Sequence, residues 1–282
     1  AHYDQLPASF ANKQVSLTSN ETGLPIKRLQ REVLRERFAE ITAMDRSIGH
    51  LRKHLQSTGQ RSNSLVWYCG DNGTPQEAVA TVPFRAHKGS IYEGGIRVPG
   101  IIEWPSVIAR PHASDVNTVT SDILPTLCDL VGQPLPKRPL DGVSLKTLID
   151  GSMKQRPTPI AFWNYGGSNS RERPYIDPEL QKGTTPLAKL ANGGATRNFQ
   201  NFHHPEIQDV DFNGSRAIVD NRYKLVIDGG SKTGKELFDI RNDPGEKKNI
   251  IESNRDEATR LEKQLHEWQK SVLKSLTGAD YH

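Results

Sequence analysis

Apolar residues recur at two different periods along this chain, and the change of period divides it into predicted elements. Leu34, Phe38, Ile41, Met44, Ile48, Leu51 and Leu55 follow one another at intervals of three or four. That spacing predicts a helix over 34–55 with one apolar stripe facing a core. Arg35, Glu36, Arg37, Glu40, Arg46, Arg52 and Lys53 fall mostly on its other faces, and Gly59 is placed to stop it. The run Leu65-Val66-Trp67-Tyr68-Cys69 then reads as a short buried strand, bounded by Gly70. Helix, short loop and buried strand make half of a βαβ unit.

Gly100-Ile101-Ile102-Glu103-Trp104-Pro105 predicts another strand, closed by its proline. A second helix is expected within Val116–Gly132. Ser121 would cap it, Pro125 would sit in its first turn, and Ile123, Leu124, Leu127, Leu130 and Val131 would form its apolar face. Pro134, Pro136 and Pro139 force an extended connector, and Ile160-Ala161-Phe162-Trp163 is one more apolar run. Periodicity is lost over 164–213, a long irregular stretch for a compact domain. From Arg216 onward, 217–219, 222–227 and 236–240 read as three strands. A final helix carries Ala258, Leu261, Leu265, Trp268 and Val272 on one face. Residues 1–25, rich in Asn, Ser, Thr and Pro, read as loop.

Composition narrows the classes. The net charge is +4 with a pI near 9.0, but no dense Lys/Arg tract has interleaved aromatics, which argues against a nucleic-acid binder. The basic excess suits anionic substrates or solubility. No apolar run approaches the ~18 residues that suggest a membrane span. Cys69 and Cys128 have neither CxxC nor metal-ligand spacing and read as buried free thiols. The chain opens at Ala1 with no signal peptide, so a removed leader or a longer parent protein is expected.

Candidate chemistry concentrates in Leu65–Pro99. Ligands of open α/β sheets sit beyond the carboxyl ends of strands. There Gly70-Asp71-Asn72-Gly73 offers a carboxylate and an amide, hard oxygen donors suited to calcium or magnesium. Lys88 is a mobile point charge for an anionic substrate. The Gly-Asp-Asn-Gly segment alone is an ordinary turn sequence. Its place after a strand and ahead of Lys88 points instead to a metal-assisted site for a charged ester. Glu93-Gly94-Gly95 reads as structural, with Glu93 or Arg97 tying the loop to its neighbours, and Tyr92 as a packing residue. Arg85 and His87 flank the lysine and either line a pocket or face solvent. His203-His204 lack an evident third ligand and read as a surface loop.

Several of these segments together resemble the C-terminal part of the type I, formylglycine-dependent sulfatases, the arylsulfatase branch of the alkaline-phosphatase-like superfamily. They are the strand with Gly70-Asp71-Asn72-Gly73, Lys88 through Pro99, Glu103-Trp104-Pro105, Ser121 through Leu127 and Leu140 through Leu145. Tyr223-Lys224-Leu225, Glu236 through Ile240 and Asn242 through Glu246 continue the match. The resemblance runs from about Phe38 to Trp268, with the 164–213 region unmatched. It implies an α/β fold, the C-terminal part of an α/β/α sandwich, followed by a small α+β subdomain with an antiparallel sheet. The implied segments are 1–163 for a partial core, 164–213 for an irregular insertion and 214–282 for the subdomain.

The resemblance also implies a calcium-assisted sulfuric ester hydrolase, with Asp71 and Asn72 as calcium ligands and Lys88 at the sulfate or the leaving oxygen. His2 would be the remnant of a substrate-contacting Pro-His-x-Pro loop, although proline is absent on both sides. An ordinary loop histidine is the competing reading. The implied substrate is a sulfated glycan or aryl sulfate, and the implied setting is secreted, periplasmic or lysosomal. Oligomeric state is not legible. One departure is large. The family's nucleophile is a formylglycine made from a Cys/Ser-x-Pro-x-Arg motif, and no such motif occurs in this sequence. The expectation is a fragment that lacks the nucleophile and half of the metal site, inactive alone. A phosphoesterase or phosphonate hydrolase of the same superfamily, or a non-catalytic homologue, is the alternative.

Overall fold

A computed structural model describes residues 13–19, 24–165, 206–232 and 234–280. His2 and His203-His204 lie outside the described residues. Two compact units divide the chain, 1–51 with 169–204 and 52–168 with 205–282.

In the first unit, β1 (Gln14–Thr18) and β2 (Pro25–Leu29) pair antiparallel, Gln14 opposite Leu29 and Thr18 opposite Pro25. This corrects the loop expected through Pro25. QVSLT alternates polar and apolar residues over only five positions, too briefly to stand out from its polar surroundings. Pro25 begins β2, where its missing N–H is tolerated. Helix α1 (Gln30–Ser57) follows without a break and starts four residues before the apolar stripe does. Its burial is confined to Gln30, Val33 and Leu34. Leu34 is buried and Phe38, Ile48 and Leu55 are half-buried, but Ile41, Met44 and Leu51 are 54%, 39% and 47% exposed, so among the described residues the stripe is not buried along its length as expected. Periodicity places apolar side chains on one face but does not supply what covers them.

In the second unit, β3 (Val66–Cys69) pairs antiparallel with β4 (Gly100–Glu103), Cys69 opposite Gly100 and Val66 opposite Glu103. All four residues of β3 are half-buried rather than buried, and its sheet partner runs antiparallel rather than completing a βαβ unit. Glu103 holds Arg52 (Nε 2.6 Å) and Arg61 (Nη2 2.8 Å), tying the end of α1 and the turn after it to β4. Both cysteines are free and half-buried.

Helix α3 (Ile123–Val131) ends at Gly132 with φ +69°, as its sequence suggests. Its entrance is organised by Asp122 rather than Ser121. The buried Asp122 carboxylate accepts the Val119 (2.9 Å) and Val143 (2.8 Å) N–H groups and both arms of the Arg156 fork (2.7 and 2.8 Å). The inward face of α3 is therefore Asp122, Pro125 and Thr126, while Leu124, Leu127 and Val131 are exposed. Polar anchoring of the proline-rich connector has outweighed the apolar pattern. The connector then makes one further helical turn, α4 (Lys146–Ile149).

A four-stranded antiparallel sheet follows, in the order β5 (Ile160–Trp163), β6 (Arg216–Val219), β7 (Tyr223–Ile227) and β8 (Lys235–Asp239). Its first strand precedes the 164–213 stretch and the other three follow it. Asp220 Oδ1 makes the β6–β7 turn by accepting the Arg222 and Tyr223 N–H groups (2.7 and 2.6 Å). Strand side chains alternate between faces, and both faces are covered. Ala217, Val219, Val226 and Phe238 pack with Ile91 and Tyr92. Ile218, Leu225, Ile227 and Leu237 pack with Ala258, Leu261 and Leu265 of α5 (Arg255–Leu276).

Candidate functional site

The turn at the end of β3 is zipped to the Arg85–Pro99 segment through the backbone. The N–H groups of Gly70, Gly73 and Thr74 donate to the carbonyls of Pro99 (3.1 Å), Gly95 (2.8 Å) and Gly94 (2.9 Å). Lys88 N–H donates to Thr74 (2.7 Å) and Gly94 N–H to Arg85 (2.8 Å). Glycine is required for this approach. A Cβ on Gly73 would lie 2.1 Å from the Gly94 oxygen, and one on Gly94 would lie 2.3 Å from the Ala86 oxygen. The glycines of both motifs thus bring Asp71-Asn72 and Lys88, which sequence separates, to one end of β3.

Asp71 is exposed and its Oδ1 accepts the Asn72 N–H (2.9 Å). Asn72 is half-buried and donates its Nδ2 to the Gly73 carbonyl (3.1 Å), which leaves Oδ1 as the amide's open acceptor. Lys88 is exposed, and its carbonyl lies 2.9 Å from His87 Nδ1. The carboxylate and the amide oxygen are donors of the kind calcium takes, so the chemistry of the pair fits that ion as two of its ligands. Among the described residues no group of three or more His, Cys, Asp or Glu side chains is arranged to hold a metal.

A buried polar layer lies beneath the loop. Glu93 opens the short helix α2 (Glu93–Ile96), and its Oε1 lies 2.9 Å from Lys224 Nζ. The same ammonium is 2.8 Å from Glu246 Oε1, and Glu246 Oε2 accepts the Glu93 N–H (2.7 Å). Burial raises the Glu246 carboxyl above its ordinary range, with Lys224 opposing the shift. Next to it, Tyr92 donates its hydroxyl to Glu236, Arg85 Nη1 pairs with the other Glu236 oxygen (3.0 Å), and the Arg85 guanidinium lies 3.9 Å from the centre of the Tyr92 ring. Burial, then Glu236, raises the Tyr92 phenol. Arg85 therefore braces the loop, and Glu93 and Tyr92 are structural, as read from the sequence.

A family model described as Sulfatase matches residues 1–133. Human arylsulfatase A is 33% identical over 215 residues, 74% of this chain and 37% of the relative. The chain belongs to the sulfatase family. Human steryl-sulfatase is 33% identical over 132 residues, 43% of this chain and 23% of the relative. N-acetylgalactosamine-6-sulfatase of Mus musculus is 33% identical over 132 residues, 44% of this chain and 25% of the relative. The chain thus spans between about a quarter and two fifths of the length of these sulfatases. A solved structure described as in complex with its substrate D-glucosamine-2-N,6-O-disulfate superposes with a TM-score of 0.59 at 21% identity, covering 86% of this chain and 41% of that one. A phosphonate monoester hydrolase of Agrobacterium radiobacter superposes at 0.52 with 19% identity, covering 89% and 42%. These likenesses show an α/β fold of the alkaline-phosphatase-like type.

The supporting pair Lys224 and Glu246 has no spacing or motif that marks it in the sequence. A lysine inside the apolar run Tyr223–Ile227 was the available signal, because a charge on a buried strand needs a partner. Trp163 and Tyr165, at the edge of the irregular stretch, are committed to protein contacts. Trp163 packs edge-on against Tyr165 and Trp268 (centroids 5.1 and 6.2 Å), and Tyr165 donates to Asp211 Oδ1 (2.8 Å).

Proposed function

We propose that this chain supplies the calcium-ligating and anion-contacting wall of a sulfuric ester hydrolase acting on sulfated carbohydrates or aryl sulfates. The observation that carries the reading is the glycine-dependent zipper that puts Asp71-Asn72 and the Lys88 loop at one strand end. Membership of the sulfatase family and the names of its relatives support the reaction class, and two carbohydrate-directed names among them support the substrate class. Among the described residues no helix is long and apolar enough to cross a membrane. The family setting, secreted, periplasmic or lysosomal, belongs to the same proposal.

In this reading Asp71 and the Asn72 side-chain oxygen hold calcium, and His2 contacts substrate. Calcium supplies positive charge toward the sulfate oxygens when bound. Lys88 adds a mobile ammonium that pairs with the sulfate or stabilises the leaving oxygen. The buried Glu93–Lys224–Glu246 layer keeps the loop bearing Lys88 in place. The 282 residues contain no Cys/Ser-x-Pro-x-Arg motif, so they provide binding and orientation without that nucleophile.

The test is sulfate release from 4-nitrophenyl sulfate, measured on the 282-residue chain and on the protein isolated from its native source. Release by the native protein, with none from the 282-residue chain, is expected. Turnover by the 282-residue chain alone contradicts the reading. So does a native protein that hydrolyses phosphate or phosphonate esters and leaves the sulfate ester intact.

A further inference from the structure

A cavity of about 620 Å³ opens in the second unit beside the four-stranded sheet, with Glu93 in its wall but none of Asp71, Asn72 and Lys88. Ile160, Phe162, Val219 and Ile240 give it apolar lining, and Arg97, Arg241 and Asn117 add polar groups. A smaller cavity of about 240 Å³ shares Asp115, Val116 and Arg241 with it and adds His112 and Lys154. The two cavities meet along this one shared wall, to which Ser114 also belongs, and form one groove.

The charges in the groove favour an anion. Arg241 is exposed and, among the described residues, has no ion-pair partner. Arg97 lies 3.6 Å from Glu93, a carboxylate that Lys224 already neutralises, and keeps 40% of its side chain exposed. Lys154 donates only to the Gly151 carbonyl (3.1 Å). Against these three cations stands Asp115, an exposed carboxylate. Three cations are too few to track a nucleic-acid backbone. An apolar lining with guanidinium groups at its edge instead suits a pyranose ring. The ring's C–H face packs on Phe162 and its neighbours, and a carboxylate or sulfate substituent meets an arginine fork.

We propose that this groove is a subsite for an anionic sugar residue, distinct from the Asp71–Lys88 site. Val98 and Gly100 of its wall flank Pro99, whose carbonyl accepts the Gly70 N–H, so the groove adjoins the turn that carries Asp71. A glycan chain presenting its sulfate ester to Lys88 would reach the groove with another residue; this placement rests on the function proposed above.

Calorimetric titration of the 282-residue chain tests the subsite with two probes. One is a hyaluronan tetrasaccharide, whose only anions are carboxylates, and the other is a chondroitin 6-sulfate tetrasaccharide. Both bind, and Arg241→Glu raises Kd about tenfold or more for both. Arg241→Gln raises it less, and Lys88→Ala leaves hyaluronan binding unchanged. Circular dichroism of each variant confirms the fold. Wild-type affinity in Arg241→Glu, absence of binding at about millimolar probe, or equal loss of hyaluronan binding in Lys88→Ala overturns the subsite. If Lys88→Ala affects neither probe while Arg241→Glu weakens both, the subsite stands and the anion role of Lys88 fails.

Discussion

Lys224 places its ammonium 2.9 Å from Glu93 and 2.8 Å from Glu246, with none of its side chain exposed. It sits on β7, Glu93 opens α2, and Glu246 follows the turn after β8. One buried cation therefore joins the sheet to the loop that carries Lys88. Lys224→Met keeps much of the volume but leaves the buried Glu246 carboxylate without its counter-ion and Glu93 with only Arg97 at 3.6 Å. Breaking such a cluster costs about 3–5 kcal/mol. Urea unfolding of the variant should show that loss. A change below about 1 kcal/mol would mean that the cluster contributes little.

The same cluster sets a pH dependence. Burial raises the Glu246 carboxyl above its ordinary value of 4.5. The folded state then binds that proton more tightly than the unfolded chain does. Its contribution to stability is full below pH 4.5 and is lost as pH rises through the raised folded value. Glu246→Gln removes this titration. The stability of the wild type relative to Glu246→Gln should fall as pH is raised from about 4 toward neutrality, measured by urea melts at successive pH values. A difference that grows with pH would reverse the assignment.

The zipper depends on bare backbone. Gly73→Ala drives its Cβ to 2.1 Å from a carbonyl oxygen on α2, and no side-chain rotation relieves that contact. A loss of about 1–3 kcal/mol is expected, as for other overpacked sites. Gly100→Ala is the control. Its Cβ would meet nothing within 4 Å and its φ is not positive, so stability should stay within about 0.5 kcal/mol. Thermal unfolding of both variants checks the contrast, and equal melting temperatures would contradict it.

Much of this fold was legible because its strands are short, apolar and bounded by clear turns. β6 to β8 and α5 lie within a residue or two of their predicted places, apart from the ends of α5, and the apolar run 160–163 adds β5 to their sheet as a fourth strand. The α1 stripe and the α3 face were legible as patterns but not as burial. Asp122 and Arg156 show why. Their paired hydrogen bonds turn the polar side of α3 inward, and nothing in local spacing announces a partner 34 residues away. The role of Glu93 as a tie was legible from its glycine-rich surroundings, but its partners Lys224 and Glu246 lie more than a hundred residues downstream. Asp71, Asn72 and Lys88 were found as motifs, and the close approach of Gly73 to Gly94 explains how the two motifs meet.

Calcium titration followed by amide and side-chain NMR tests the proposed centre most directly, because it needs no turnover. Two protein ligands of the six to eight oxygens that calcium prefers give weak binding, with half-saturation expected at about millimolar calcium. Calcium should shift the Asp71 and Asn72 signals progressively, magnesium should shift them less, and Asp71→Asn should abolish the response. Unmoved Asp71 and Asn72 signals at about ten times that concentration, or an undiminished response in Asp71→Asn, would contradict the proposed centre.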